Sequence, residues 1–200
     1  MKEVLAEKLY SIGCVKIGEF KLTSGLTSPI YVDLRILPSY PREFKWIIGK
    51  VIEVLKGVNF DVVCGLAVGG IPLATAVAYE LEKPLIYVRK KAKEHGTMRL
   101  IEGVFEKGMK AIIVDDVATT GSTLIRGVKA LQGNGIDVEA ALVIVDREQG
   151  AGEALKQLKV PLLRLSTLRE LLEDLFNKGY ISYETFLKVR NYLEGVCGHA

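Results

Sequence analysis

Asp115 and Asp116 stand side by side after the apolar run Ile112, Ile113 and Val114. Thr119, Thr120, Gly121, Ser122 and Thr123 follow directly, so residues 112 to 123 read IIVDDVATTGST. Two adjacent acids after a fully apolar strand are costly to place without partners. An ionised carboxylate is an acceptor and a hard-cation ligand, so ribose hydroxyls, directly or with Mg²⁺, are natural partners. The hydroxyls and the backbone N–H groups around Gly121, opening a helix, suit a phosphate monoester, because unmet N–H groups and the helix dipole both favour an anion. The acids would repel that phosphate, so one loop would hold a sugar phosphate at two ends. The plainer alternative is that the two acids cap a helix and the hydroxyls belong to an ordinary polar turn.

Two further constellations carry charge. From Tyr87 to Gly103 the chain reads YVRKKAKEHGTMRLIEG, with Arg89, Lys90, Lys91, Lys93, His95 and Arg99 against Glu94 and Glu102. Alone, such a run is a solvated face. Just ahead of a sugar-phosphate strand, it offers cations that stabilise negative charge where it grows in a transition state. The third is VDREQG, Val145 to Gly150, in which Arg147 follows the apolar run AALVIV. Its fork-shaped guanidinium matches a carboxylate, although a lone DR pair is usually a surface ion pair.

The elements that must position these groups are legible as periodicity. Val4, Leu5, Leu9 and Ile12 predict a helix over residues 2–12 that Gly13 stops. Phe44, Ile47, Ile48, Val51, Ile52 and Leu55 predict a second, opened by Pro41 and ended by Gly57. Beyond it VVCGLAV, LIYV, AIIV and AALVIV alternate with helical patterns from Pro72 to Leu81 and after Gly121. That alternation predicts an α/β domain with a mainly parallel sheet. A helical pattern near 151–158, a strand at 162–165 and amphipathic segments at 167–176 and 182–194 follow. Residues 1–40 do not fit the alternation and are expected to form a small N-terminal lobe beside a core of residues 41–200.

With 200 residues, one main fold is expected. The balance of 27 basic against 24 acidic residues, net +3, argues against a nucleic-acid coat. Cys14, Cys64 and Cys197 are odd in number and far apart, so neither a disulfide framework nor a CxxC metal site is expected. MKEVLAEKLYSIG has no long apolar core, so no signal peptide is expected. No run reaches the ~20 apolar residues of a membrane span. A cytoplasmic protein without nucleic-acid or membrane partners is the expectation.

VDDVATTGST, Val114 to Thr123, resembles the 5-phosphoribosyl 1-diphosphate (PRPP) motif of type I phosphoribosyltransferases. RKxxKxHG, present as Arg89, Lys90, Lys93, His95 and Gly96, resembles the mobile catalytic loop of orotate phosphoribosyltransferases, and GTMRLIEG continues the likeness. FKLTSGLTSPIYVDLR, Phe20 to Arg35, and VDREQG resemble that family's base-binding segments. The resemblance implies the type I phosphoribosyltransferase fold with an N-terminal hood. It also implies Mg²⁺-dependent transfer of ribose 5-phosphate from PRPP to N1 of orotate, and a homodimer whose loop cations reach the neighbouring subunit's site. Asp115, Asp116, Val117, Ala118 and Thr119 to Thr123 would then bind PRPP. Lys93 and His95 would act on the diphosphate or as proton donors, Arg89 and Lys90 on phosphate oxygens. Thr119, Arg147 and the backbone around Tyr31 would orient orotate. No dedicated metal site is implied: Mg²⁺ would be held through PRPP and water, with Asp115 and Asp116 as candidate ligands. Thr23 and Gly69 stand where many relatives carry lysine. A purine phosphoribosyltransferase and a PRPP-sensing regulator are the competing readings; the loop motif disfavours the first, and the small net charge the second.

Overall fold

The computed structural model describes residues 2–21, 27–91 and 100–197. Helix α1 (Lys2–Ser11) is followed by Gly13 at φ 75°, and it buries Leu5, Ala6 and Leu9. Strands β1 (Val15–Lys21) and β2 (Thr27–Val32) pair antiparallel as a separate two-stranded sheet. A 3₁₀ turn, Leu34–Ser39, leads into α2 (Pro41–Leu55). Pro41 suits that first turn because its missing N–H would have no partner there, and Gly57 at φ 91° ends the helix as expected.

The remaining chain alternates β3 (Val62–Leu66), α3 (Gly70–Glu80), β4 (Leu85–Val88), the short β5 (Ile101–Glu102), β6 (Lys110–Ala118), α4 (Ser122–Gln132), β7 (Asp137–Asp146), α5 (Ala151–Lys156) and β8 (Leu162–Thr167). Helices α6 (Leu168–Asn177) and α7 (Tyr183–Cys197) complete it. The main sheet has the order β5-β4-β3-β6-β7-β8, parallel except for the antiparallel β4–β5 pair. The mainly parallel α/β fold expected from the periodicity is therefore present.

Burial on both faces explains the unbroken apolar runs. Val63, Ile112, Val114, Leu142 and Ile144 face one core with residues of α1, α2, α3, α6 and α7. Val62, Cys64, Ile113, Ala141 and Val143 face the other, under α4 and α5. Leu5, Leu9, Cys14, Ile30, Leu34 and Leu37 belong to the first of these cores, so the N-terminal segment has its own small sheet while sharing the core of the main one. Burial pushes the thiols of Cys14 and Cys64 up to about 12. Among the described residues, no helix is long and apolar enough to cross a membrane.

Candidate active site

The chain runs from β3 to β4 on one side and then returns past β3 to β6 on the other, so the strand order reverses between β3 and β6. Ligands of open α/β sheets bind beyond the carboxyl ends of the strands at such a point. There β6 outruns β3. The β3–β6 pairing ends at Gly65 and Val114, whereas β6 continues beside β7 to the Ala118–Asp146 pair. The sequence reading, in which the strand ends at the two acids, is corrected by this register. Asp115 and Asp116 lie within β6, because its pairing with β7 runs on past Val114, through Asp115, Val117 and Ala118.

The two carboxylates occupy the step left by β3. The Asp116 N–H donates to Asp115 Oδ1 at 3.0 Å, and the Val117 N–H to Asp116 Oδ1 at 2.9 Å. Asp115 is 5% exposed, and burial followed by the neighbouring Asp116 charge raises its pKa well above the usual carboxylate range. The Asp116 N–H and the charge of Arg126 act against that rise without offsetting it. Asp116 is only partly buried. Gly69 and Gly70 come in from the loop after β3. A Cβ at Gly69 would overlap the Asp116 carboxylate, and one at Gly70 would stand 2.5 Å from the Val114 carbonyl oxygen and 2.7 Å from Asp115 Oδ1. Any side chain at Gly69 would therefore displace the Asp116 carboxylate from this position.

Past Ala118, Thr119 and Thr120 form the turn and Gly121, at φ 81°, opens α4. A Cβ on Gly121 would meet the Cα of Ala151 at 3.0 Å, so the turn packs tightly on the start of α5. No side chain caps α4, nor does one cap α3, where Gly69 is the N-cap residue. Two helix N-termini thus flank the carboxylates with N–H groups available to an anion.

At the end of β7, the Arg147 N–H donates to the Ala118 carbonyl at 2.9 Å, which sets this residue beside the same turn. Its Nε is buried and has no hydrogen-bond partner among the described residues. The preceding Asp146, 4% exposed, accepts from Arg164 Nη1 at 3.2 Å and from the Glu148 N–H at 2.9 Å. Asp146 therefore holds the turn that carries Arg147. Sequence reading missed this anchor, although its signal, the acid next to Arg147, was in the motif.

Arg89 follows β4 on the same edge of the sheet; its N–H donates to the Leu100 carbonyl, and its Nη1 pairs with Glu102 at 3.1 Å. Lys90 is exposed. Lys93, His95 and Thr23 lie outside the described residues. Tyr31, on β2, packs its ring 5.4 Å from that of Phe20. The 3₁₀ turn that follows β2 packs against β6. Arg35, on that turn, went unassigned in the sequence reading. Its Nη2 approaches the Tyr31 hydroxyl at 3.4 Å, and Asp116 is among the charges acting on it.

Among the described residues, no group of three or more His, Cys, Asp or Glu side chains is placed to hold a metal ion. Two hard-oxygen carboxylates beside uncapped N–H groups nonetheless fit Mg²⁺ that arrives on a phosphorylated ligand, since Mg²⁺ is usually held by one or two carboxylates plus phosphate oxygens and water.

The family profile of the phosphoribosyl transferase domain matches residues 41–162, from α2 to the first residue of β8. With the reversal in strand order holding paired acids beside a turn that opens α4 without a side-chain cap, the class is that of phosphoribosyltransferases. The orotate phosphoribosyltransferase of Pyrobaculum aerophilum is 43% identical over 190 residues, 94% of this chain and 97% of that protein. The crystal structure of the orotate phosphoribosyltransferase from Aeropyrum pernix superposes with a TM-score of 0.80 at 38% identity, over 89% of this chain and 99% of that one. UMP synthase of Leishmania donovani gives a TM-score of 0.87 at 34% identity over 97% of this chain, which spans 42% of that longer protein. The chain belongs to the orotate phosphoribosyltransferase family.

Proposed function

We propose that this chain catalyses Mg²⁺-dependent transfer of ribose 5-phosphate from PRPP to N1 of orotate, giving orotidine 5-monophosphate and diphosphate in the cytoplasm, as a step of pyrimidine biosynthesis. The observation that carries the proposal is the extension of β6 past β3, which sets Asp115 and Asp116 against the uncapped start of α4. In the proposed complex, the N–H groups and hydroxyls of Thr119, Thr120, Gly121, Ser122 and Thr123 hold the 5-phosphate. Asp115 and Asp116 accept from the ribose hydroxyls, with Val117 and Ala118 forming the wall of the site. The uncapped start of α3 faces the diphosphate end.

Arg147, whose Nε lacks a partner among the described residues, takes the orotate carboxylate, and Thr119 with the backbone around Tyr31 orients the ring. In the transfer, N1 gives up its proton and bonds to ribose C1 as the bond from C1 to the diphosphate oxygen breaks; that bond's electron pair leaves with diphosphate, which can take up a proton in turn. Lys93 and His95 offset that charge or donate a proton, assisted by Lys90 and by Arg89 once it exchanges Glu102 for phosphate oxygens. Bound Mg²⁺ would supply charge neutralisation of the diphosphate. No covalent nucleophile is needed: positioning and electrostatic stabilisation supply the rate.

The family likeness also supports a homodimer with loop cations shared between subunits. Tyr79 on α3 is 82% exposed beside a groove lined by Phe44, Ile48, Ile52 and Ala76, an apolar surface for a second copy. The direct test follows the loss of orotate absorbance with PRPP and Mg²⁺. Consumption of orotate with release of diphosphate is expected; transfer to a purine base in its place would overturn the assignment.

A further inference from the structure

We infer that Arg35 is a base-recognition residue, held by Asp33 and Tyr31 to donate hydrogen bonds to a ring carbonyl of the pyrimidine. The inference rests on the substrate proposed above and adds to it a group that fixes the uncharged part of the base. Asp33 accepts from Arg35 Nε and Nη2, each at 2.7 Å, and from the Arg35 backbone N–H at 3.1 Å. Arg35 Nη2 also reaches the Tyr31 hydroxyl at 3.4 Å. The Asp33 side chain is 19% exposed and that of Arg35 63%, so the acid is the anchor and the guanidinium stands out from it. Its Nη1 has no partner among the described residues. A free arginine samples many rotamers; one tied through Nε, Nη2 and its own backbone presents the remaining N–H groups in a fixed plane.

Position and charge select the ligand. The turn carrying Arg35 packs on β6, and Tyr31 belongs to the segment expected to face the base. Asp33 already answers the positive charge of Arg35, and the guanidinium in turn holds the Asp33 carboxyl below the usual carboxylate range. A guanidinium whose charge is already paired with a carboxylate is a poor trap for diphosphate but remains a directed donor, which suits an uncharged carbonyl. Arg147, with no carboxylate partner among the described residues, keeps full charge for the substrate's carboxylate. The base would thus be read by two arginines of different electrostatic character, one from β7 and one from the N-terminal segment.

Steady-state kinetics of Arg35→Gln, Arg35→Lys and Asp33→Asn, with thermal melts, test this. Loss of a charged donor should raise the orotate KM of Arg35→Gln about tenfold or more. The PRPP KM and Tm should stay at wild-type values, and Arg35→Lys should recover part of the loss. Asp33→Asn keeps an acceptor for the turn but loosens the clamp, so a smaller rise in orotate KM is expected. A rise in PRPP KM instead, a parallel fall in Tm, or no change in Arg35→Gln would overturn the inference. If wild-type protein consumes no orotate, the substrate assignment fails and takes this inference with it; an active wild type with an indifferent Arg35→Gln removes the inference alone.

Discussion

Gly69 and Gly70 are adjacent, yet a methyl group would strike different things at the two positions. At Gly69, the nearest atoms it meets belong to the Asp116 carboxylate, the end of a side chain that can turn away. Gly69→Ala should therefore leave Tm almost unchanged while misplacing an acid proposed to hold ribose, weakening PRPP binding roughly tenfold to a hundredfold by calorimetry. At Gly70, it meets the Val114 carbonyl, which is backbone and cannot yield without moving β6. Gly70→Ala should cost about 1–3 kcal/mol in denaturant unfolding. Asp115 supplies a prediction of opposite sign. Its pKa in the folded chain is raised, so its contribution to stability is present in full below the unfolded value and is lost as pH rises through the folded one. Asp115→Asn, which keeps an acceptor for the Asp116 N–H, should make the ligand-free protein more stable than wild type at neutral pH. The advantage should fade as pH falls toward the ordinary carboxylate range, and it should come with weaker binding of PRPP. Melting curves of both proteins across that range, without ligand, provide the check.

The helices were legible because their apolar residues recur at three and four, as from Phe44 to Leu55, and because Gly13 and Gly57 end them with positive φ. Strands buried on both faces were legible as runs, but their ends were not. The reading stopped β6 at Val114 because acids do not look like strand residues, while the ladder with β7, a long-range fact, carries it through Asp115 and Asp116 to Ala118. Helix α3 starts two residues before Pro72 because the close approach of Gly69 and Gly70 to β6 sets the entry, and that approach leaves no periodic trace. β1 and β2 were missed for a related reason: VKIGEFK has a mixed burial pattern with no clean alternation. The motif residues on β6, α4 and β7 could be named from sequence. The clamping of Arg35 and the anchoring role of Asp146 could not, since both are defined by hydrogen bonds. Asp146 joins the end of β7 to Arg164 of β8 and to the turn after it. Asp146→Ala leaves the Glu148 N–H unmet and frees that turn. It should cost about 1–3 kcal/mol of stability. Orotate should bind more weakly while PRPP affinity is kept, a split that paired calorimetric titrations would resolve.

At the scale of the whole molecule, two questions of cooperation arise. The first is whether residues 1–40 act as a lobe of their own. Leu9 is fully buried in the same core as Leu142 and Ile144, so Leu9→Ala should cost about 2–5 kcal/mol in one unfolding transition shared by fluorescence and circular dichroism. Two separated transitions would mark an independent lobe. The second is whether a complete site needs two chains. Lys93→Ala, in the loop proposed to reach across, should lower turnover by orders of magnitude with the fold intact. Asp116→Asn should inactivate through the other half of the site. In the proposed dimer, each variant alone leaves no site intact. If the loop serves the neighbouring subunit, a hybrid dimer joins a wild-type Asp116 on one chain to a wild-type Lys93 on the other, restoring one site of its two. Random exchange of subunits makes about half the dimers hybrid, so an equal mixture should regain about one quarter of wild-type activity. If the loop serves its own chain, every site in the mixture keeps one defect, and activity stays at the level of the separate variants. The recovered fraction, read after unfolding and refolding the variants together, therefore decides between a shared site and two independent ones.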